Sequence, residues 1–253
     1  MTLLEAVEVR KFYGTFCALD GVTLTIGRGQ FVSIVGPNGA GKTTLVNVLT
    51  GLLAPTSGAV RFKGRDVAGL DPVRLARLGL ARSFQLVHVF PGLTVAETLA
   101  VAVLARRRRG ARLFASLAAE RATWDEAAGV AELFGLADQL GRPARTLPQG
   151  DKKLLDVASA FALHPEVILL DEPTSGVSTA DKHAVMAVLV EAARRLGIAS
   201  IIQVEHDMDI VFGYSDRIVA LHQGRVLADA TPAELQANDE VMATIVGRAA
   251  RRA

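Results

Sequence analysis

Cysteine is nearly absent: Cys17 is the only one in 253 residues. A single thiol excludes an intrachain disulfide and suits a reducing compartment. Long apolar runs are also missing. None approaches the roughly 18–20 residues needed to cross a bilayer, although half of the residues are hydrophobic. Such a chain can bury a sizeable core, and it leaves room for an apolar surface that a partner covers. The stretch Met1-Thr2-Leu3-Leu4-Glu5 lacks a basic region followed by an apolar core, so no secretory leader is expected. Neither sign of charge dominates, and a net +2 does not by itself indicate nucleic acid. Long repeats, low-complexity linkers and heptad runs are absent. This length fits one large α/β domain or a core with an inserted subdomain.

The most informative stretch is Gly36-Pro37-Asn38-Gly39-Ala40-Gly41-Lys42-Thr43-Thr44. It fits the pattern G-x-x-x-x-G-K-S/T. Glycines let successive backbone N–H groups turn inward as a nest, and a following helix adds its positive end at the same spot. Lys42 is then placed to reach β- and γ-phosphates, and the Thr43 hydroxyl to ligate Mg²⁺. The context agrees: Gln30 to Val35 reads as a buried strand, and Thr44 to Leu49 as a helix that Gly51 closes. A glycine-rich turn with a chance lysine would not bring both flanks into register.

Around this motif the chain changes texture. Residues 3–9 alternate like an edge strand, Val22 to Ile26 reads as a second strand, and Ala59 to Phe62 as a short third. A further segment, Gly79 to Phe84, ends at Gln85. These strands, placed before a run of helices, predict a mixed sheet at the N-terminal side. Thr94-Val95-Ala96-Glu97 and Thr123-Trp124-Asp125-Glu126 both have the form of capping boxes, and no convincing strand lies between Thr94 and Ala158. Roughly residues 93–157 are therefore expected to form a helical insert. Arg106-Arg107-Arg108-Arg109 falls inside it. With no aromatic residue interleaved, the run reads as a solvated face before a nucleic-acid or lipid site. Strands return at 167–170, 200–204 and 217–221, with a helix over 179–196 between the first two and a hairpin through Gln223-Gly224. Thr231-Pro232-Ala233-Glu234 opens a last helix.

Asp171-Glu172 follows the apolar strand 167–170 directly, and strand carboxyl ends are where open α/β sheets place ligands. An aspartate there can hold Mg²⁺ opposite Thr43, and the glutamate can polarise a water for attack on a γ-phosphate. His206 closes the next strand and could orient that water, or be structural. Gln85 looks like any glutamine after a strand. Tyr13 is open between core packing and a platform for a base.

Taken in order and spacing, these motifs resemble the nucleotide-binding subunit of an ATP-binding cassette (ABC) transporter over essentially the whole chain. The resemblance implies a P-loop NTPase core of ABC ATPase type: an α/β fold with a mixed or parallel sheet, flanking helices, an N-terminal antiparallel β region and an inserted helical subdomain, all in one domain over 1–253. It implies ATP and Mg²⁺ as cofactors, Tyr13 stacked on adenine, Gly36, Pro37, Asn38, Gly39, Ala40, Gly41, Lys42, Thr43 and Thr44 around the phosphates, and Thr43, Gln85 and Asp171 at the metal. Glu172 would be catalytic, with His206 as its switch partner. The family signature Leu-Ser-Gly-Gly-Gln stands here as Leu147-Pro148-Gln149-Gly150-Asp151, expected to open a helix from Lys152 to Leu163. In the family this segment closes over ATP held by a second cassette subunit, paired head to tail as a homo- or heterodimer. The missing serine hydroxyl and the added acid predict a weaker ATP-bound dimer.

Within the family, Ala81 to Gln85, Phe90 to Glu97, the acidic signature and Thr231 to Glu234 resemble subunits serving uptake of branched-chain and other hydrophobic amino acids. That group implies transmembrane permease subunits, a periplasmic substrate-binding protein and a peripheral location on the cytoplasmic face of the inner membrane, with no nucleic acid. Alternatives are the ATPase of another ABC system (lipid or lipopolysaccharide export, urea or amide uptake) and a soluble non-transport ABC protein. The segment Gln85 to Pro91 would be the docking surface for the membrane subunit.

Overall fold

Alternating burial along the first strands puts one face of an antiparallel sheet inside, while continuous apolar runs further on supply strands covered on both faces. The structure is a computed structural model, and it describes residues 1–83, 90–107 and 121–246. In chain order, β1 (Thr2–Tyr13), β2 (Phe16–Gly27) and β3 (Phe31–Val35) lead into α1 (Lys42–Leu49). Next come β4 (Ser57–Phe62), β5 (Arg65–Asp66), α2 (Pro72–Leu78) and β6 (Leu80–Arg82). A helical stretch follows with α3 (Val95–Arg106), α4 (Arg121–Leu133), two short 3-10 turns and α5 (Gln149–Ala162). The chain continues through β7 (Val167–Asp171), α6 (Thr179–Arg195), β8 (Ser200–Val204), α7 (Met208–Tyr214), β9 (Arg217–His222), β10 (Arg225–Ala230), α8 (Pro232–Gln236) and α9 (Asp239–Val246).

Two compact units result, Met1–Leu80 with Ala199–Ala253, and Ala81–Ile198. The first holds an antiparallel sheet in the order β2-β1-β4-β5, together with β10, β9, β3 and β8 as successive neighbours. β3 runs parallel to β8 and to β9, and β10 closes antiparallel on β9. Every residue of β3 and β8 is buried. A chain of polar groups lies inside this core: Gln203 Nε2 donates to Ser33 Oγ at 2.8 Å, and Ser33 shares a hydrogen bond with Ser215. Under β9, Val35, Val211, Ile218, Ala220, Leu235 and Val241 form one apolar cluster.

In the second unit β6 and β7 are neighbouring strands, and α3 packs against α4 and α5. Phe134 and Phe161 meet edge to face, with centroids 5.2 Å apart. Local signals act as the residue types require. Thr94 and Glu97 close a reciprocal capping box at α3. Gly135 and Gly197 take positive φ, and the next residues, Leu136 and Ile198, donate back to Ala131 and Ala193 at 2.8 and 2.9 Å. Those are glycine-terminated helix ends with an apolar residue just beyond.

Several expectations are corrected. β1 is not an edge strand, since β2 and β4 pair with its two sides. Alternation reports one buried face and is silent on how many backbone edges are paired. Thr123 does not cap a helix: it lies inside α4, fully buried, and its hydroxyl accepts from Arg107 Nη1 at 3.1 Å. The signature helix begins at Gln149, three residues earlier than expected, with Pro148 in the capping position. Proline fixes φ at a helix-compatible angle and lacks only an N–H the first turn would leave unused.

Arg106 and Arg107 are not simply solvated. Both bind Glu126, Arg107 at 2.6 Å, and Glu126 also receives His164 Nε2 at 3.2 Å; Arg108 and Arg109 lie outside the described residues. Burial, reinforced by Arg106 and Arg107 against the opposing pull of Glu126, holds the His164 pKa below its ordinary 6.5. The folded state therefore binds fewer protons there than the unfolded chain. This contribution is complete above about pH 6.5, and it is lost as pH falls through the lower folded value. Because His164 has φ 45°, asparagine is the fitting replacement, as it tolerates that conformation without titrating. Thermal unfolding at pH 7.5 and 5.5 should show a smaller acid-induced loss for His164→Asn than for the wild type. Equal losses would remove His164 as a source of pH dependence.

Candidate functional site

The loop between β3 and α1 is built on backbone conformations few side chains allow. Gly36, Gly39 and Gly41 have φ of 146°, 79° and 102°. A Cβ on Gly36 would stand 2.2 Å from the Leu221 carbonyl oxygen, and one on Gly41 would stand 2.7 Å from that of Ala18. Neither neighbour can yield, because both are main chain. Asn38 and Gly39 are exposed, whereas Ala40 and Lys42 are buried. The Lys42 ammonium folds back onto the loop, donating to the carbonyls of Gly36 at 2.7 Å and Pro37 at 3.0 Å. Thr43 is exposed at the start of α1, with Thr44 half-buried beside it.

The loop has a support that the sequence does not reveal. The β9–β10 turn carries Gln223 and Gly224 with φ 48° and 75°, a tight hairpin. Gly224 N–H donates to Ala40 O at 3.0 Å, and Asp20 N–H donates to Gly224 O at 2.8 Å. The hairpin thus joins the loop to β2. A pair of positive-φ residues flags a turn in the sequence, but not what the turn touches.

Tyr13 stands at the end of β1 and is 50 % exposed, with Lys11 Nζ 5.6 Å from its ring centroid. That excludes core packing and leaves the ring available as a platform. Phe12 and Phe16 beside it are exposed as well. His206 follows β8 and is exposed, its N–H donating to the buried Glu205 carboxylate at 3.0 Å.

In the second unit, Asp171 ends β7 and Glu172 comes next. Glu172 takes φ 48°, a left-handed conformation uncommon for glutamate and often found at functional positions. Its carbonyl accepts from Ser175 N–H at 3.1 Å. The Asp171 carboxylate is buried and accepts from Arg82 Nη2 at 2.6 Å, and Lys153 Nζ donates to the Asp171 carbonyl at 3.3 Å. Neither cation is visible in the sequence as part of a site. Of the signature segment, Leu147 is buried, Pro148 and Gln149 are exposed, and Gly150 and Asp151 are half-buried. Asp151 accepts from Gln139 Nε2 at 2.8 Å. Gln85 lies outside the described residues, as does most of the expected docking segment. Phe90 at its end is 56 % exposed.

The family model described as ABC transporter matches residues 19–175. The high-affinity branched-chain amino acid transport ATP-binding protein LivG of Salmonella typhimurium is 36% identical over 254 residues, covering 98% of both chains. The corresponding BraF of Pseudomonas aeruginosa is 34% identical with the same coverage. Among solved structures, a nucleotide-free ATP-binding cassette from an ABC transporter gives a TM-score of 0.83 at 27% identity, covering 98% of this chain and 100% of that one. An ATP-binding cassette in its ADP conformation gives 0.83 at 28% identity, with coverage of 98% and 99%.

The hairpin support is testable. Gly224→Ala puts a Cβ 2.8 Å from the Ala18 carbonyl oxygen, whereas Gly64, also at positive φ, has nothing within 4 Å. Both variants carry the same kind of backbone strain. Gly224→Ala should lower affinity for a fluorescent ATP analogue about tenfold or more, a cost on the order of 1.4 kcal/mol, and Gly64→Ala should not. Equal affinities in the two variants would dissociate the hairpin from the loop.

Proposed function

The chain belongs to the ABC transporter family as an ATP-binding, ATP-hydrolysing subunit, and we propose that it powers import of branched-chain or other hydrophobic amino acids. The observation that carries the ATP-driven part of this reading is the Gly36–Thr44 loop, with Lys42 folded onto the Gly36 and Pro37 carbonyls at the start of α1. An ammonium held there exchanges carbonyl partners for phosphate oxygens when ATP arrives. The nest of loop amides and the helix end take the rest of the negative charge. Tyr13 offers its exposed ring to the adenine.

Mg²⁺ fits the donors present. The Thr43 hydroxyl, the Asp171 carboxylate and the Gln85 side-chain oxygen are hard oxygens, the kind this ion takes alongside phosphates and water. Asp171 is paired with Arg82, so the ion would have to share or displace that partner. When bound, the ion neutralises charge on the phosphates. Glu172 polarises the attacking water, and His206 orients it. The same reading treats residues 93–157 as a helical subdomain within one cassette spanning 1–253.

The subunit works as a pair and with membrane-spanning partners. No helix among the described residues is long and apolar enough to cross a membrane, which fits a peripheral subunit bound to permeases, here read as lying on the cytoplasmic face of the inner membrane. Phe90, exposed within the expected docking segment, supports contact with a permease. A periplasmic binding protein delivers the amino acid, and nucleic acid has no part. The names of the relatives from Salmonella and Pseudomonas support the cargo. Uptake of labelled leucine, isoleucine and valine in cells lacking this chain tests it. Uptake that persists at wild-type rates would overturn the cargo assignment and leave the ATPase untouched.

Two variants test the machinery. Glu172→Gln keeps shape but cannot polarise water, so turnover should fall by at least about 10²–10⁴ while ATP binding persists. Near-normal hydrolysis would remove Glu172 from this role. A Cβ on Gly150 meets nothing within 4 Å in the chain, so Gly150→Asp should leave monomer unfolding nearly unchanged. In a Glu172→Gln background it should abolish ATP-dependent dimerisation measured by light scattering, because a carboxylate would stand where the partner's phosphate approaches. Dimerisation that survives the change would exclude this segment from the trans contact.

A further inference from the structure

Asp171 is not an idle carboxylate waiting at a strand end. Its side chain is 6% exposed and that of its partner Arg82 only 8%, with Nη2 and Oδ2 at 2.6 Å. Lys153, 4% exposed, adds its ammonium 3.3 Å from the Asp171 main-chain oxygen. Two buried cations from separate elements, the end of β6 and the first turns of α5, thus converge on one residue at the end of β7. A buried ion pair persists only with good geometry, and removing either partner leaves an uncompensated charge. Placing a divalent cation on the same carboxylate sets it against the Arg82 guanidinium, in surroundings where charges are poorly screened.

We infer that Arg82 is a resident counter-ion that holds Asp171 in the metal-free state and competes with the divalent cation for it, so that it sets the metal affinity of the nucleotide complex. This rests on the reading of Asp171 as a metal-holding carboxylate. Arg82 is a positioning residue: it touches neither substrate nor reacting atoms and acts through Asp171. Arginine suits the task because its charge is permanent and its planar fork keeps the carboxylate oriented. Lys153 secures the main chain of the same residue, so displacing the guanidinium frees the carboxylate without loosening its backbone. A purely structural ion pair makes a different prediction, since deleting one partner would then disorder the strand end and weaken every ligand alike.

The full chain, held with a non-hydrolysable ATP analogue, is titrated with Mn²⁺ as a paramagnetic probe, and free Mn²⁺ is read by electron paramagnetic resonance. Arg82→Gln should bind Mn²⁺ about five- to fifty-fold more tightly than the wild type, within the range of ordinary coupling between sites. Affinity for the analogue in EDTA should stay unchanged. Without ligand, this variant should melt at a lower temperature than the wild type. Unchanged or weaker Mn²⁺ binding by folded Arg82→Gln would overturn the inference. Asp171→Asn separates the two levels: it should weaken Mn²⁺ binding, and if it does not, the metal role of Asp171 itself fails. If Arg82→Gln does not fold, the wild type carries the test. With labelled arginine, the Arg82 guanidinium signal, assigned with Arg82→Lys, should shift on adding Mg²⁺ with the analogue and not with the analogue in EDTA. A signal indifferent to Mg²⁺ would equally overturn it.

Discussion

The phosphate loop is possible only because main chain approaches it more closely than any side chain would permit. Gly36 lies against Leu221 of β9, and Gly41 against Ala18 of β2. Both glycines take positive φ, so each is required twice, for the bend and for the approach. The loop that would cradle a nucleotide is therefore fixed by strands near both ends of the chain. Gly224 completes the arrangement by hydrogen bonding Ala40 on one side while Asp20 hydrogen bonds it from the other. Pre-organisation of this kind keeps a row of amides aimed without the ligand, so ordering the loop need not be repeated at each binding event.

Buried charge and polarity follow the same logic. Lys42 lies inside its own loop with two carbonyl partners, Arg82 and Asp171 neutralise each other, and Gln203, Ser33 and Ser215 form one hydrogen-bonded row in the core. Apolar residues of similar volume would often be as stable or more so at such positions. What these groups provide is a definite arrangement with defined partners to exchange. A lysine that leaves two carbonyls for phosphate loses little, since it is never left unpaired in a buried site.

Legibility in the sequence tracked locality. The phosphate loop, the α3 and α8 capping boxes and the glycine that follows α1 could be read because each is specified within a few consecutive residues. The buried strands could be read because both of their faces are apolar. Tyr13 could not be resolved, since exposure depends on what the rest of the β1–β2 ribbon does. Thr123 misled because a threonine followed by a glutamate three residues on is equally good inside a helix when an arginine from another helix needs its hydroxyl. The partnership of Arg82 with Asp171 spans 89 positions, and that of Gly224 with Ala40 spans more than half of the chain. No local pattern encodes either, and only the register of strands and hairpins brings them together.

The altered signature shows why residue identity at a motif is an incomplete guide to its effect. Read as a string, Pro148 removes a hydroxyl and Asp151 adds a negative charge beside a phosphate site. In the fold, α5 starts one residue after Pro148, and Gly150 sits in its first turn with open space at its Cα. The helix end thus remains intact: the Pro148 carbonyl accepts from Lys152 N–H at 3.0 Å, and the proline has no side-chain acceptor to take up the first-turn amides. The Asp151 carboxylate is engaged by Gln139, whose own oxygen accepts from Arg142 Nη1 at 3.2 Å. That chain of hydrogen bonds draws the carboxylate toward the 3-10 turn at Ala137–Gln139 and spreads its charge toward a guanidinium. If a partner's phosphate approaches this segment as proposed, the cost of the substitution would be set by Gln139 and Arg142 as much as by Asp151, two residues that lie outside the motif as a sequence pattern.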